Sequence, residues 1–382
     1  MGPFTAEELE PTRRPLLEAF QLPPRAFTDE AVAAWEAEHL FLGGWLCLGH
    51  AGALDGRGAF LVRDVAADSV LAVADDAGTI RAFHNVCRHR GARLVDEPAG
   101  RLRRLQCPYH AWTYGFDGSL RNAPHTDGIV GFEAACHGLA PVRVDRLHGL
   151  LFADVSGAAA PLEDHAGALA DHLARYRLAE LRRAAAITYD VAANWKAIVE
   201  NYSECLHCPG VHPELNRLSH YLSGVDFEGP GAWCGGSMTL NDGAATMAAG
   251  GGGTRPAIAG VDPSRVLYFA LLPNALVSLH PDYAMLHTLW PRGAGRTEVV
   301  CEWFFEPETM AAPGFDPSDA VEFWDTVNRQ DWRVCALVQR GVASRGFSRG
   351  RYTANEHTVH AFDAMVSGAY LTGRWTAASS AA

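Results

Sequence analysis

The sequence predicts an α+β protein in which strands and helices are segregated along the chain rather than alternating. Three observations carry this. Residues 43–155 break into short strand-like runs divided by Gly, Asp and Pro. Residues 265–306 give longer apolar runs that suit an antiparallel meander. Helical patterns bracket the second set, at 194–208 and at 317–342.

In chain order, residues 1–42 form a helical segment whose clearest part is 28–42, with Thr28 as N-cap and Glu30 close behind. The runs GWLCLGH, GAFLVRD, VLAVAD, IRAFHNV, RRLQCPYHAW and GLLFADV then mark a small β domain over 43–155. The third domain, 156–382, starts with an Ala- and Leu-rich helix or linker to about 183, followed by a strand at 185–195. A helix over 194–208 is expected to stop at Pro209 and Gly210. The Gly-rich stretch 245–261 is expected to be a mobile loop or lid. Its four consecutive glycines neither follow a strand nor open a helix, so they are no dinucleotide fingerprint. No internal repeat is visible.

Hydrophobic residues make up 48% and charged residues 20%, an ordinary globular balance that supports a core without staples. A net charge of −12 argues against a nucleic-acid partner, which would need a basic face. No apolar run approaches the ~20 residues of a membrane helix. The amino terminus lacks the layout of a secretory signal, and Ala6 spoils the myristoylation pattern. A cytoplasmic location is expected by elimination. Nine scattered cysteines do not resemble a secreted disulfide framework, but two of them lie beside histidines at ligand spacing.

Those two stretches are Cys87-Arg88-His89 and Cys107-Pro108-Tyr109-His110, with 17 residues between them. Each offers one thiolate and one imidazole from a short loop after a strand. Zinc fingers group cysteines with cysteines and histidines with histidines, so the mixed pairs argue against structural zinc. They suit a [2Fe–2S] cluster with two cysteines on one iron and two histidines on the other. Neutral imidazoles lower the negative charge and lift the potential to about −150 mV or above. Gly91 and Gly115 fall at tight-turn positions, and His84-Asn85 leads into the first loop. In these residues the chain resembles the Rieske proteins. It lacks the extra cysteine pair of the respiratory branch, so the likeness is to the soluble oxygenases and ferredoxins.

A cluster alone moves an electron, so a second site must separate carrier from enzyme. His207 and His212 are five apart, ~140° around an ideal helix, and cannot chelate one ion from an unbroken helix. Pro209 and Gly210 between them allow a break that swings His212 back. A facial triad of two histidines and one carboxylate would leave positions open for O2 and substrate. From residues alone Asp331 is one acid among many. The resemblance to Rieske oxygenase catalytic subunits singles it out, because their late helix supplies the carboxylate and Asn328-Arg329-Gln330-Asp331-Trp332 looks like that element. Cys205 and Cys208 are read as buried spectators, since thiolates would block the open positions.

Glu204 precedes His207 by three residues, which on a helix puts both on one face. The resemblance implies that it bridges His110 of one subunit to His207 of its neighbour in a homotrimer. Asn201 is a candidate polar residue of the iron pocket. The resemblance further implies a Rieske β domain, then a catalytic domain with an antiparallel sheet flanked by helices and the amino-terminal segment packed on it. Electrons would come from NAD(P)H through a separate flavin and iron–sulfur reductase, and O2 would be activated at ferrous iron. Ring-dihydroxylating members commonly carry Asp at the bridge. Glu204 and its surroundings look more like the choline, carnitine and glycine-betaine oxygenases, which implies a small quaternary ammonium substrate that is hydroxylated or N-demethylated. Aromatic ring hydroxylation, O-demethylation and a non-catalytic electron carrier are the competing readings.

Overall fold

The computed structural model describes residues 2–253 and 255–376. Strands β1 (Trp45–His50), β2 (Ala59–Val65), β3 (Asp68–Ala74), β4 (Ile80–His84), β5 (Ala99–Arg101), β9 (Pro141–Leu147) and β10 (Leu150–Asp154) form one sheet, ordered β1-β10-β9-β4-β3-β2-β5. Strands β6 (Leu105–Gln106), β7 (Thr113–Tyr114) and β8 (Leu120–Asn122) form a small sheet beside it. Phe60, Leu71, Phe83, Leu105, Trp112 and Phe116 fill the space between them.

The second large sheet holds β11 (Arg182–Val191), β12 (Val225–Phe227), β13 (Trp233–Thr239), β14 (Arg265–Leu271), β15 (Ala275–Leu279), β16 (Ala284–Pro291) and β17 (Thr297–Phe305). From β13 to β17 it is an antiparallel meander, and β11 closes the far edge against β17. The short β12 and the Gly-containing β13 are absent from the sequence pattern. Gly235 has φ +151°, and a Cβ there would lie 2.1 Å from the Tyr268 carbonyl oxygen. Close approach of β14 therefore demands glycine where strand propensity disfavours it.

Four helices matter for the site: α1 (Glu30–Glu36), α2 (Trp195–Tyr202), α3 (Ser318–Val342) and α4 (His357–Thr372). Asp29, not Thr28, caps α1, its carboxylate accepting from the Ala31 amide at 2.9 Å. The amino-terminal segment reaches α2 and α4 through Glu36. Glu36 accepts from Lys196 Nζ at 2.6 Å and Trp195 Nε1 at 2.9 Å, and from the Tyr370 hydroxyl. Lys196 and Glu36 are both buried, so deleting either partner would strand a charge at a cost of about 3–5 kcal/mol. No helix among the described residues is long and apolar enough to cross a membrane.

The Gly-rich stretch is not a free lid. Thr246, Met247 and Ala248 are buried, and Arg255 donates to Asp282 at 2.8 Å and Asp319 at 2.6 Å. Two carboxylates thus tie it to the β15–β16 turn and α3 (Thr254 lies outside the described residues).

Beneath α2, Glu200 and Asp363 form a second buried polar cluster. Glu200 Oε1 and Asp363 Oδ1 are enclosed with no donor, while the Tyr352 hydroxyl donates to Asp363 at 2.5 Å. Burial raises both carboxyls: Glu200 well above the carboxylate range, helped by Asp363's charge, and Asp363 to about 6. Protons bound more tightly in the fold than in the open chain stabilise at low pH, and the benefit fades as pH rises through the folded values. Urea stability should therefore fall as pH rises from about 4 through 6, the span of the Asp363 shift, and further where Glu200 titrates. Glu200→Gln should flatten that slope, measured by denaturation at each pH; an unchanged slope would exclude the pair as its source.

Candidate metal centres and cavity

The two Cys-x-His loops are built alike. After β4, the Cys87 amide donates to Ala92 O at 2.8 Å and the Gly91 amide to Cys87 O at 3.1 Å. Between β6 and β7, the Cys107 amide donates to Trp112 O at 2.8 Å and the Ala111 amide to Cys107 O at 3.2 Å. The left-handed residue is Gly91 (φ 73°) in one loop and Ala111 (φ 58°) in the other. Gly115 is not the matching turn residue; it sits in the β7–β8 hairpin. Asn85 clamps the first loop through two hydrogen bonds to the Val95 backbone, at 2.7 and 3.0 Å.

The loops bring the four side chains together. Cys87 and Cys107 are buried, the His89 and His110 rings lie 4.8 Å apart, and His89 stacks flat on Trp112. Cys87 Sγ lies 3.3 Å from the Tyr114 hydroxyl, which also accepts from the Arg88 amide at 3.0 Å. His110 Nδ1 is buried with no hydrogen-bond partner. An orphaned imidazole nitrogen beside a second imidazole, on two loops that each also carry a buried thiol, fits a metal cluster better than it fits a core.

The second centre depends on a chain break earlier than expected. α2 ends at Tyr202, so Glu204 and His207 lie in turns beyond it rather than on a helical face. Pro209 does not stop that helix; it lies in the first turn of a separate one-turn helix, Cys208–Val211, a position that needs no amide donor. His212 then joins this turn to the helix Pro213–Leu218. Cys205, half-buried, and Cys208, buried, are joined in a disulfide, which leaves neither thiolate to bind a metal.

On this path His207 Nε2 and His212 Nε2 converge on Asp331 Oδ1, at 3.3 and 2.7 Å. One donor atom from each residue falls within 4.8 Å of the others. The opposite ring nitrogens are held in place. His207 Nδ1–H donates to Glu204 Oε1 at 2.5 Å, and His212 Nδ1–H donates to Gln330 Oε1 at 2.6 Å. Gln330 is fixed in turn by donating to Glu214 at 3.1 Å. Both Nε2 atoms therefore point inward, the arrangement a metal site requires. Burial works against charging His207, but the Asp331 and Glu204 carboxylates outweigh it and hold the imidazolium up at about 9. Asp331 is held low by the same two rings against its own burial. One divalent cation at this point would satisfy all three groups.

Asn201 Nδ2 lies 3.4 Å from His207 Nε2. Glu204 bonds only to His207 and the Leu206 amide among the described residues, and makes no hydrogen bond to His110 of its own chain. Sequence reasoning missed Gln330. As neighbours on α3, Gln330 and Asp331 point ~100° apart and grip His212 from opposite edges. Beside these residues lies a cavity of about 400 Å3 with Tyr202, Tyr221, Tyr268 and Trp324 in its wall. Tyr268 stands edge-on to Tyr202 and to Trp324, with centroids at 6.0 and 6.4 Å.

Residues 178–371 match the model of the ring-hydroxylating alpha subunit catalytic domain, and residues 44–133 match that of the Rieske [2Fe–2S] domain. The chain belongs to the Rieske ring-hydroxylating oxygenase family. The glycine betaine monooxygenase oxygenase subunit of Chromohalobacter salexigens is 31% identical, over 87% of this chain and 81% of that one. The carnitine monooxygenase oxygenase subunit of Escherichia coli is 28% identical over 88% of each. The crystal structure of the quaternary ammonium Rieske monooxygenase CntA with its substrate L-carnitine superposes with a TM-score of 0.81. It is 25% identical and covers 95% of this chain and 98% of that chain. Naphthalene 1,2-dioxygenase from Rhodococcus shares the fold at 19% identity, TM-score 0.78, over 97% of this chain and 98% of that one. The protein is thus an oxidoreductase of the Rieske oxygenase type, with a [2Fe–2S] cluster and a mononuclear iron as its cofactors.

Asp331→Ala should lower iron content by about one atom per chain while leaving the cluster's visible spectrum intact. Gln330→Ala should weaken mononuclear iron binding roughly 10- to 100-fold, read by chelator competition, with cluster content unchanged.

Proposed function

We propose that this protein is the terminal oxygenase of a two-component system that oxidises a small quaternary ammonium compound. The observation that carries it is the aromatic wall of the cavity: Tyr268 stands edge-on to both Tyr202 and Trp324 beside the His207–His212–Asp331 centre. A methylated ammonium is held by ring faces without a donor, through cation–π attraction that strengthens once water is excluded. The names of the betaine, carnitine and choline relatives support the same substrate class.

In this proposal Cys87, His89, Cys107 and His110 hold the cluster, and His207, His212 and Asp331 hold the iron. When bound, the two metal groups supply electron relay and O2 activation. The chain supplies the rest. Glu204 and Gln330 fix the imidazole tautomers, Asn201 offers an amide beside His207, and the rings orient a methyl group toward the centre while keeping water out. Hydroxylation of a methyl carbon on nitrogen gives a hemiaminal-like product that sheds formaldehyde, which is N-demethylation. Electrons come from NAD(P)H through a separate flavin and iron–sulfur reductase. Both cluster histidines reach the surface, with exposed Tyr109 beside His110. This suits a homotrimer in which Glu204 links His207 to His110 of the neighbouring subunit. The division into 1–42, 43–155 and 156–382 and a cytoplasmic setting belong to the same proposal.

Reductase-coupled O2 uptake across betaines, choline-like compounds and simple aromatics tests the substrate class; a flat response to every quaternary amine would sink it. Glu204→Gln should keep both metal groups and a reducible cluster, yet slow substrate-dependent O2 uptake roughly 10- to 100-fold. Undiminished uptake in that variant would remove Glu204 from the electron path.

A further inference from the structure

The wall of the cavity carries carboxylates from Glu204, Asp226 and Asp331, and no Lys or Arg among its described residues. Two of these acids are already committed. Glu204 holds His207, and Asp331 meets both imidazoles. Asp226 touches neither. It lies on β12 in the cavity wall with its side chain 49% exposed, and the exposed apolar residues Leu222 and Val225 line the same cavity. Thr358 Oγ1 donates to it at 2.6 Å, and His357 Nδ1 stands 3.7 Å away, both from the first turn of α4. That hydrogen bond holds one oxygen of a carboxylate that lines the cavity. Ser237, which also lines the cavity, accepts from Arg265 at 2.9 Å. Arg265 itself stays outside the wall and faces Asp262 at 3.6 Å.

The pattern is one-sided. The aromatic faces take a cation. A carboxylate on the same small molecule would lose its water among acids, with no guanidinium or ammonium to receive it. A hydroxyl would meet neutral partners such as Ser237 and Asn355. We propose that Asp226 makes this site selective for an amine cation bearing a neutral polar group, such as a hydroxyl, and no carboxylate. The inference rests on the quaternary ammonium reading above and narrows it from zwitterions to net cations.

The test is equilibrium binding to the fully metal-loaded protein without reductant, by calorimetry. The ligands are choline, glycine betaine, and 3,3-dimethylbutan-1-ol, the uncharged carbon isostere of choline. Choline should bind roughly tenfold tighter than betaine. Asp226→Asn, which still accepts from Thr358, should weaken choline roughly three- to tenfold and leave the isostere unchanged. Asp226→Arg should reverse the order, so that betaine exceeds choline. Added salt should erode the choline preference in the native protein, because the carboxylate is half in solvent. Betaine binding tighter than choline in the native protein would overturn this inference alone. Equal losses for all three ligands in Asp226→Asn would do the same, since only a structural role predicts them. If neither choline nor betaine bound while a simple aromatic did, the quaternary ammonium reading would fall and this inference with it.

Discussion

Two imidazole nitrogens and a carboxylate oxygen meet within a few ångströms, and the local chain path is shaped by the need to bring them there. Five residues on one helix cannot deliver two rings to one point. The solution is a helix that ends at Tyr202, a turn carrying Glu204 and His207, and a fresh turn of helix in which Pro209 loses no hydrogen bond. The disulfide between Cys205 and Cys208 closes this segment around His207. Each ring is then gripped at its far nitrogen by a different element. Glu204 comes from the same turn, and Gln330 from a helix more than a hundred residues away. Orientation therefore precedes any metal, because the hydrogen bonds that select the tautomer are made by the protein alone.

The cluster loops solve a different problem by repetition. Each closes on its cysteine with the same pair of backbone hydrogen bonds and one left-handed residue. The thiols end up inside and the imidazoles outside. A cluster held by these four side chains would turn its histidine side toward the surface. An alanine at φ 58° in the second loop shows that the loop closure outweighs the residue's own preference, a strain of order 1 kcal/mol.

Much of this was legible in the sequence, for physical reasons. Ligand residues of a metal site must be of a few types at a few spacings, so Cys87, His89, Cys107, His110, His207 and His212 stand out before any fold is known. The long strands β14 to β17 and helix α3 carry their period on the surface of the text. What stayed hidden depends on tertiary contact. Thr28 and Asp29 are both good caps, and only the chain path selects Asp29. Gly235 reads as a strand breaker until the approach of β14 explains it. A Gly-rich stretch suggests mobility, whereas the burial of Thr246 to Ala248 and the two ion pairs of Arg255 hold it down. Gln330 has no signature at all, since an amide becomes a positioning group only through the ring it meets.

The buried charges around α2 follow from the same demand for position. Lys196 lies one turn before Glu200, and each faces a different partner: Glu36 from the amino-terminal segment, Asp363 from α4. A hydrophobic core would hold α2 as firmly, since buried ion pairs seldom outdo apolar packing in net stability. An apolar face, however, tolerates sliding or rotation by a fraction of a turn at modest cost. A helix carrying Lys196 on its buried side cannot rotate without pulling the ammonium from Glu36 and stranding both charges. The next residue after Glu200 is Asn201, at the iron pocket, and the helix ends one residue later. The polar network thus fixes the register of the segment that must deliver His207 to Asp331, with the amino-terminal residues serving as part of the catalytic scaffold.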